Sequence, residues 1–253
     1  MPRAIALVDL DDSLFQTRRK CPPGLAESDM HVMAVDRSGN PLSFATPAQK
    51  AWIDWLSADT LLVPVTARSI DALSRVSLVF NYAVAAHGGV LLRAGGAICP
   101  DWHGRMANAA RACFPQLNSL ADRFAVAALA RAQGVRVRII GELGIGFYVV
   151  AKHEEPTQEA DLHNLLDDLR SEVPADWTIH VNGNNVAMLP PFLGKEHAVA
   201  HLLGELREQH PGLPVLGLGD SLTDAPFLTQ CDFIMMPGAS QLARHAFEGL
   251  LKP

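Results

Sequence analysis

The feature that most constrains how this chain can fold is an apolar run that stops abruptly at a group of carboxylates. Residues 4–8 are apolar, and Asp9, Asp11 and Asp12 follow within four residues. A short apolar run with polar residues after it is typical of a buried strand, and open α/β sheets bind ligands at the carboxyl ends of their strands. Crowded like charges need a cation or a proton nearby. The run predicts a strand over residues 4–9 with a charged site at its end; a solvated loop is the alternative.

Strands and helices alternate in the two ends of the chain. Short apolar runs predict further strands at 61–66, 83–86, 214–219 and 232–235. One helix is predicted after Thr46, an N-cap followed by proline, and another begins at Lys195. Segments 32–35 and 42–45 flank a turn and predict a small hairpin. Alternating strands and helices imply one parallel sheet.

The middle third of the chain has a different pattern. It predicts a helix at 102–133 that breaks near Pro115, two strands, a helix at 156–171 and two more strands. This αββαββ order makes a self-contained α+β layer of four strands and two helices. We therefore expect a core from residues 1–99 and 190–253, with residues 100–189 inserted as a second domain.

Composition limits the class of protein. The net charge of −6 over 253 residues argues against a general nucleic-acid or anionic-membrane surface. The four cysteines contain no CxxC pair and are typical of reduced thiols. The first apolar run is too short for a signal peptide, and no apolar stretch approaches the length of a membrane span. We expect a soluble, cytoplasmic protein.

Three of the predicted strands end in residues with reactive side chains. These are Asp9, Thr66 and Asp220, and Lys195 opens a helix that can reach the same place. The carboxyl ends of parallel strands lie along one edge of the sheet. Carboxylate oxygens suit Mg²⁺, whereas an ammonium and a hydroxyl suit phosphate oxygens. The pattern predicts a site for a divalent cation and a phosphate.

Four motifs in this sequence resemble those of the haloacid dehalogenase superfamily. They are residues 9–13 (DLDDS), residues 66–68 (TAR), Lys195 and residues 219–224 (GDSLTD), in the order that the superfamily has them. The inserted αββ-type elements resemble the type IIB cap of the Cof-type and sucrose-phosphate phosphatases. The resemblance implies an α/β fold with a Rossmann-like, doubly wound parallel sheet and an inserted α+β cap.

The resemblance also implies a catalytic role for four matching residues. Asp9 matches the nucleophile that accepts the phosphoryl group, and Asp11 matches the general acid and base. Thr66 would hydrogen-bond the phosphoryl group, and Lys195 would neutralise its charge.

A metal site is implied in the same way. Asp9, the backbone carbonyl of Asp11 and Asp220 would hold Mg²⁺. Asp224 would be a further ligand or would orient the others.

The function that follows from this resemblance is a Mg²⁺-dependent phosphomonoester hydrolase. Its reaction would pass through an aspartyl phosphate, and its substrate would be a small phosphorylated metabolite. A sugar phosphate is preferred because the cap resembles those of sugar phosphatases. Two alternatives stay open: a phosphosugar mutase, and a binding or regulatory protein that keeps the scaffold without catalysis.

Several positions depart from the usual superfamily pattern. Ser13 stands where threonine is commoner, Ala67 replaces a usual glycine, and Thr223 stands where asparagine is usual. Glu196, directly after the motif lysine, stands where glycine is commoner. The Thr223 departure bears most on the geometry around Asp224.

Three weaker patterns have two interpretations each. His197 and His201 lie one helical turn apart and could chelate a metal, but with no third ligand evident a solvated helix face is favoured. Arg136 and Arg138 share one face of a strand and could meet an anionic substrate. The glycine-rich segment 141–146 lacks the spacing of a nucleotide-binding loop and is expected to form a hairpin turn.

Overall fold

The computed structural model describes residues 1–131, 134–155 and 157–248. The strands are β1 (Ala4–Val8), β2 (Gln16–Thr17), β3 (His31–Val35), β4 (Pro41–Ala45), β5 (Thr60–Pro64), β6 (Ala83–Ala85), β7 (Val90–Leu92), β8 (Val135–Glu142), β9 (Ile145–His153), β10 (Thr178–Asn182), β11 (Asn185–Leu189), β12 (Val215–Leu218) and β13 (Phe233–Met235). The α-helices are α1 (Pro47–Asp59), α2 (Ile70–Leu73), α3 (Pro100–Ala130), α4 (Glu159–Leu169), α5 (Lys195–Gln209), α6 (Ala225–Leu228) and α7 (Gln241–Phe247).

The chain forms two compact units. The core unit comprises Met1–Trp102 together with the chain from Lys195 onward, and the inserted unit comprises His103–Gly194. The first boundary falls inside α3, and the second falls at the first residue of α5.

A parallel four-stranded sheet organises the core unit. Its strand order is β13-β12-β1-β5, so the chain extends the sheet on both sides of β1. All five residues of β1 are buried, and Val8 lies opposite Pro64 on one neighbour and Leu218 on the other. Pro64 is tolerated because it is the last residue of β5, which lies at the edge of this sheet. The predicted doubly wound parallel sheet is confirmed.

The segment between β1 and α1 forms the predicted hairpin. Strands β3 and β4 pair in antiparallel fashion, and β2 adds to the other side of β4. The hairpin leads directly into α1, whose start is fixed by a capping box. The Gln49 amide donates to Thr46 Oγ1 at 3.2 Å, and the Thr46 amide donates to Gln49 Oε1 at 2.9 Å.

The inserted unit has its own antiparallel sheet and its own core. The sheet order is β10-β11-β9-β8, and β8 and β9 are joined by the hairpin turn expected for segment 141–146. Side chains from α3, α4 and the sheet form one buried cluster that includes Leu120, Phe124, Leu165, Val149 and Met188. The αββαββ order predicted for this region is confirmed.

Helix α3 corrects one expectation. A break was predicted near Pro115, yet α3 is continuous from Pro100 to Ala130 with Pro115 inside it. Proline removes one backbone donor from a helix interior and is costly there. Three side chains just beyond Pro115 are fully buried, namely Leu117, Leu120 and Phe124. Burial of this apolar face offsets the local cost, which the sequence pattern around a single proline does not reveal.

Two further observations concern the helices and the cysteines. None of the helices in the described part of the chain is long and apolar enough to cross a membrane. All four cysteines are free thiols, as their spacing predicts.

Candidate active site

The candidate site lies at the carboxyl edge of the parallel sheet. Asp9 directly follows β1, Thr66 follows β5 by two residues and Asp220 follows β12 by two. The Asp9 amide donates to the Leu218 carbonyl at 2.8 Å, so the sheet holds the first and fourth motifs side by side. Asp9, Thr66 and Lys195 are buried, and Asp220 is partly exposed. The three strand ends therefore lie along one edge of the sheet.

Lys195 links two buried carboxylates. Its Nζ donates to Asp9 Oδ1 at 2.7 Å and to Asp224 Oδ1 at 2.6 Å. Lys195 is the first residue of α5, and Asp224 immediately precedes α6. One ammonium thus balances part of the charge of two acids that water reaches poorly.

Ser13 joins Asp9 to Asp220. Its Oγ lies 3.2 Å from Asp9 Oδ2 and 3.3 Å from Asp220 Oδ1, so the hydroxyl proton can serve either carboxylate. In the sequence Ser13 stood out only as a variant of a usual threonine. Its bridging position explains why that place needs a hydroxyl of either kind.

Asp224 shapes the loop that presents Asp220. The Asp224 side chain is fully buried, and its Oδ2 accepts from the amides of Asp220 and Ser221 at 3.2 and 3.1 Å and from Ser221 Oγ at 2.8 Å. A Cβ at Gly219 would lie 2.7 Å from the Asp224 side chain, so only glycine permits this close approach. The Thr223 departure leaves this arrangement intact.

The electrostatics of the site call for a further cation. Burial raises the pKa of Asp9 to about 7, with the charge of Asp224 adding to the shift and that of Lys195 opposing it. Burial also raises the pKa of Asp220 to about 6, helped by Asp224 and Asp12. Burial alone would lower the pKa of Lys195, but the charges of Asp9 and Asp224 raise it. The single positive charge of Lys195 therefore does not balance the negative charges of Asp9, Asp220 and Asp224.

These acids have the chemistry of a hard-cation site. One oxygen from each of Asp9, Asp220 and Asp224 lies within 4.8 Å of the others. Carboxylate oxygens are the ligands that Mg²⁺ prefers, and a divalent cation would favour the ionised forms of Asp9 and Asp220, whose pKa values are raised by burial and then by neighbouring charge. The residues fit the metal that the motifs imply. Both oxygens of Asp224 accept hydrogen bonds, from Lys195 and from the Asp220 amide, and both oxygens of Asp9 lie within hydrogen-bond distance of Lys195 or Ser13.

Asp11 pairs with Arg68, whereas Asp9 and Asp224 pair with Lys195. Arg68 Nε donates to Asp11 Oδ2 at 2.8 Å, and Nη2 donates to Asp11 Oδ1 at 2.7 Å. The Arg68 amide donates to Thr66 Oγ1 at 3.1 Å, and its guanidinium lies over the Phe15 ring. Arg68 therefore ties the second motif to the first. Sequence reasoning placed this arginine in a motif without a role; its place two residues after Thr66 was the available signal.

Asp12, the third carboxylate of the opening motif, is turned elsewhere. It adopts a left-handed backbone conformation with φ of 64° and forms an ion pair with Lys20.

A cavity of about 630 Å³ lies within the core unit and is lined by Asp12 and Asp220. No sequence pattern pointed to this cavity, since its walls come from segments far apart in the chain. Its polar lining includes Gln16, Gln49 and Arg244.

Two residues of the weaker sequence patterns have identifiable contacts within their own units. Arg136 forms an exposed ion pair with Glu154 in the inserted unit. His201 contacts Cys99 and Glu205 within the core unit.

Comparison with solved structures identifies the fold. Sucrose-phosphatase from Synechocystis, in complex with sucrose and phosphate, is 15% identical with a TM-score of 0.53, over 100% of this chain and 90% of that chain. The C-terminal domain of Candida albicans trehalose-6-phosphate phosphatase is 14% identical with a TM-score of 0.54, over 99% and 78%. A Thermoplasma acidophilum protein is 14% identical with a TM-score of 0.54, over 97% and 89%. No protein-family model and no curated protein matches the chain.

At sequence identities this low, structural similarity establishes the fold of the chain but not its activity. The chain shares the α/β fold of these proteins, with an inserted α+β unit.

Proposed function

We propose that this chain is a Mg²⁺-dependent phosphomonoester hydrolase of the haloacid dehalogenase type, which forms a phosphoryl intermediate on Asp9. The observation that carries the proposal is the contact of Lys195 Nζ with Asp9 Oδ1 at 2.7 Å, in a site where Ser13 Oγ joins the other oxygen of Asp9 to Asp220. A dianionic phosphate cannot approach an anionic nucleophile unless positive charge surrounds it. A lysine and a neighbouring cation site provide that charge.

Asp9 is assigned the attacking role. Its carboxylate is buried at the end of a central strand, where Lys195 and Ser13 fix both oxygens. One of these oxygens attacks phosphorus, and the bond from phosphorus to the ester oxygen breaks. The product of this step is an aspartyl phosphate and a free alcohol.

Asp11 is assigned the proton transfers. Its side chain is about half exposed, whereas that of Asp9 is buried, so Asp11 can reach a bound substrate and exchange protons with solvent. Asp11 first takes up a proton from solvent, which weakens its ion pair with Arg68, and then donates this proton to the leaving alcohol oxygen. It then takes a proton from the water that attacks the aspartyl phosphate, which releases inorganic phosphate and restores Asp9.

Thr66 and a bound cation would complete the group of contacts to the phosphoryl oxygens. The Thr66 side chain is buried beside Arg68, with its hydroxyl oxygen accepting from the Arg68 amide, so its own proton is directed to another acceptor such as a phosphoryl oxygen. Asp9 and Asp220 would hold Mg²⁺, together with the Asp11 backbone carbonyl that the motif implies. When bound, Mg²⁺ offsets the negative charge of the phosphoryl oxygens.

A small sugar phosphate is the substrate class that we assign. A cavity of about 630 Å³, the size of a small-molecule site, shares Asp220 with the proposed metal site, although Asp9, Thr66 and Lys195 do not line it. The proteins of the same fold include a sucrose-phosphatase solved with sucrose and phosphate and the trehalose-6-phosphate phosphatase domain from C. albicans. Polar lining residues suit the hydroxyl groups of a sugar.

The test is phosphate release from a panel of phosphorylated metabolites, with and without Mg²⁺. We expect Mg²⁺-dependent release that is greatest for sugar phosphates and is abolished in Asp9→Asn. Conversion of one sugar phosphate into another without release of phosphate would instead indicate a mutase. Turnover of no phosphate ester, despite Mg²⁺ binding, would contradict the hydrolase and favour a binding protein.

A further inference from the structure

A second cluster of possible metal ligands lies in the core unit, away from the motif residues. It comprises Cys99, His201 and Glu205. The Cys99 side chain is fully buried, whereas His201 and Glu205 are partly exposed, so an ion could enter from solvent. The sequence drew attention to the pair His197 and His201, but in the structure the partners of His201 are a thiol and a carboxylate.

Secondary structure holds the three side chains together. His201 and Glu205 are one turn apart on α5, and neighbours at this spacing share a helix face. Cys99 immediately precedes α3, and its amide donates to the Leu91 carbonyl of β7 at 2.9 Å. The Trp102 ring packs against the His201 ring with centroids 5.2 Å apart, which limits the orientations of the imidazole.

Two of the three distances between the ligand atoms are close to those around a tetrahedral zinc ion, and all three atoms lie within 4.8 Å of one another. Cys99 Sγ lies 3.8 Å from His201 Nε2, and the same Nε2 lies 3.6 Å from Glu205 Oε1. Typical zinc bond lengths and tetrahedral angles place sulfur, nitrogen and oxygen ligands about 3.4–3.6 Å from one another. One nitrogen therefore faces both partners at nearly the spacing that a shared metal imposes.

The charges around the cluster are also compatible with a divalent cation. Arg93 Nη2 donates to Glu205 Oε1 at 2.6 Å, and metal-binding carboxylates are commonly oriented by such an outer partner. A Cys99 thiolate, an ionised Glu205 and Arg93 sum to one negative charge, which a zinc ion turns into one positive charge. A thiolate ligand favours zinc over Mg²⁺, so the two metal sites of the core unit would select different ions.

We propose that Cys99, His201 and Glu205 form a zinc site, with a fourth position for water. Binding transfers the thiol proton of Cys99 to solvent and leaves His201 with Nε2 unprotonated. The ion would join the segment at Cys99 to α5, the helix that begins with Lys195. The site would then stabilise the helix that carries the proposed phosphate-binding lysine.

The experiment is titration of the metal-free protein with Co²⁺, followed by displacement with Zn²⁺. Co²⁺ bound to a thiolate gives a near-ultraviolet charge-transfer band, which a carboxylate site such as Asp9 and Asp220 does not give. We expect one such band per chain, removed by one equivalent of Zn²⁺. Zn²⁺ affinity should fall at least about 100-fold in Cys99→Ser, because loss of an outer partner alone costs about 10–100-fold.

Matched variants assign the band to these residues. His201→Ala and Glu205→Gln should weaken binding, whereas His197→Ala, one turn away on the same helix, and Cys113→Ser should not. If Cys99→Ser fails to fold, Glu205→Gln provides the test of zinc binding, because Glu205 is partly exposed and its substitution should not disturb the fold. Absence of the band in the wild-type protein, or an unchanged band and affinity in Cys99→Ser or Glu205→Gln, would overturn the proposal.

Discussion

Arg68 holds the Asp11 carboxylate by two parallel hydrogen bonds, from Nε at 2.8 Å and from Nη2 at 2.7 Å. The arginine is itself fixed, because Nη2 also donates to Ser43 Oγ at 3.2 Å and the guanidinium lies over the Phe15 ring. Only about an eighth of the Arg68 side chain is exposed. A planar guanidinium in a two-point contact defines the direction of a carboxylate far better than a single ammonium does. Arg68 is therefore assigned as the residue that positions the proposed acid and base.

Replacement of Arg68 by lysine should reduce catalysis more than binding. The lysine side chain in Arg68→Lys keeps the charge but loses the two-point contact, so Asp11 samples more orientations. We expect kcat to fall about tenfold or more with little change in KM, since small misplacements of a catalytic group cost up to about 100-fold. Steady-state kinetics with the best sugar phosphate would measure this.

The control for Arg68 is Arg37→Lys. Arg37 makes a similar pair with Asp71, but both side chains are mostly exposed. This variant should leave both constants unchanged. A fully active Arg68→Lys enzyme would contradict the positioning role.

Loss of Lys195 should destabilise the fold as well as stop the reaction. In Lys195→Met the buried carboxylates of Asp9 and Asp224 lose their shared cation. Removal of one member of a buried ion pair costs about 3–5 kcal/mol. The free energy of unfolding from urea titration in Mg²⁺-free buffer measures the effect.

A second substitution tests whether uncompensated charge is the cause. Lys195→Met combined with Asp224→Asn should recover part of the lost stability, because one of the two buried charges is then removed. Lys50→Met, which breaks an exposed pair with Asp54, should cost at most about 1 kcal/mol. A Lys195→Met protein as stable as the wild type would contradict the prediction.

The pH dependence of stability should reflect the buried acids. Burial raises the pKa of Asp9 to about 7 and that of Asp220 to about 6, above the ordinary value of 3.8. Between the ordinary and the raised values the folded state binds more protons than the unfolded state, so the free energy of unfolding falls as pH rises. In Mg²⁺-free buffer we expect the wild-type protein to lose stability from about pH 4 to pH 7 relative to Asp9→Asn.

Addition of Mg²⁺ should restore stability at the upper end of that range, because the ion binds the ionised carboxylates of the folded state. Thermal unfolding of both proteins across the range, with and without Mg²⁺, provides the comparison. A difference between wild type and Asp9→Asn that grows in the opposite direction would show that Asp9 is ionised well below neutrality without metal.

Ser13→Ala should weaken Mg²⁺ activation. The Ser13 hydroxyl lies 3.2 Å from Asp9 and 3.3 Å from Asp220, so its loss frees both proposed ligands to reorient. Loss of such outer partners lowers metal affinity by about 10–100-fold. We expect the Mg²⁺ concentration for half-maximal activity to rise by about tenfold in Ser13→Ala and to change little in Ser13→Thr. Equal Mg²⁺ requirements in Ser13→Ala and wild type would exclude this role.

The parts of the fold that could be predicted from the sequence are those with a local signal. The apolar run at β1, the proline after Thr46 and the strand ends at Asp9, Thr66 and Asp220 each indicate their structure within a few residues. Because parallel strands align their carboxyl ends, the placement of these three side chains on one edge followed from topology alone.

The parts that could not be predicted depend on contacts between distant segments. The sequence does not reveal that Arg68 contacts Asp11 or that Ser13 bridges two acids, since those contacts depend on loop conformation. Pro115 lies inside a continuous α3 because burial of the residues beyond it stabilises the helix. Asp224 was expected to bind the metal or to orient its ligands, but only the structure shows that its Oδ2 organises the loop of the fourth motif.

The central claim is that Asp9 carries the phosphoryl group, and direct detection of that group tests it most closely. The protein should be mixed with a turned-over sugar phosphate and Mg²⁺, quenched in acid within milliseconds, and digested for mass spectrometry. With an aryl phosphate, whose leaving group needs no proton, Asp11→Asn should accumulate the intermediate, because only the proposed base for its hydrolysis is then missing. We expect a phosphoryl group on Asp9 that is absent in Asp9→Asn. Phosphate release by Asp9→Asn at the wild-type rate, with no phosphorylated aspartate in any variant, would contradict the claim.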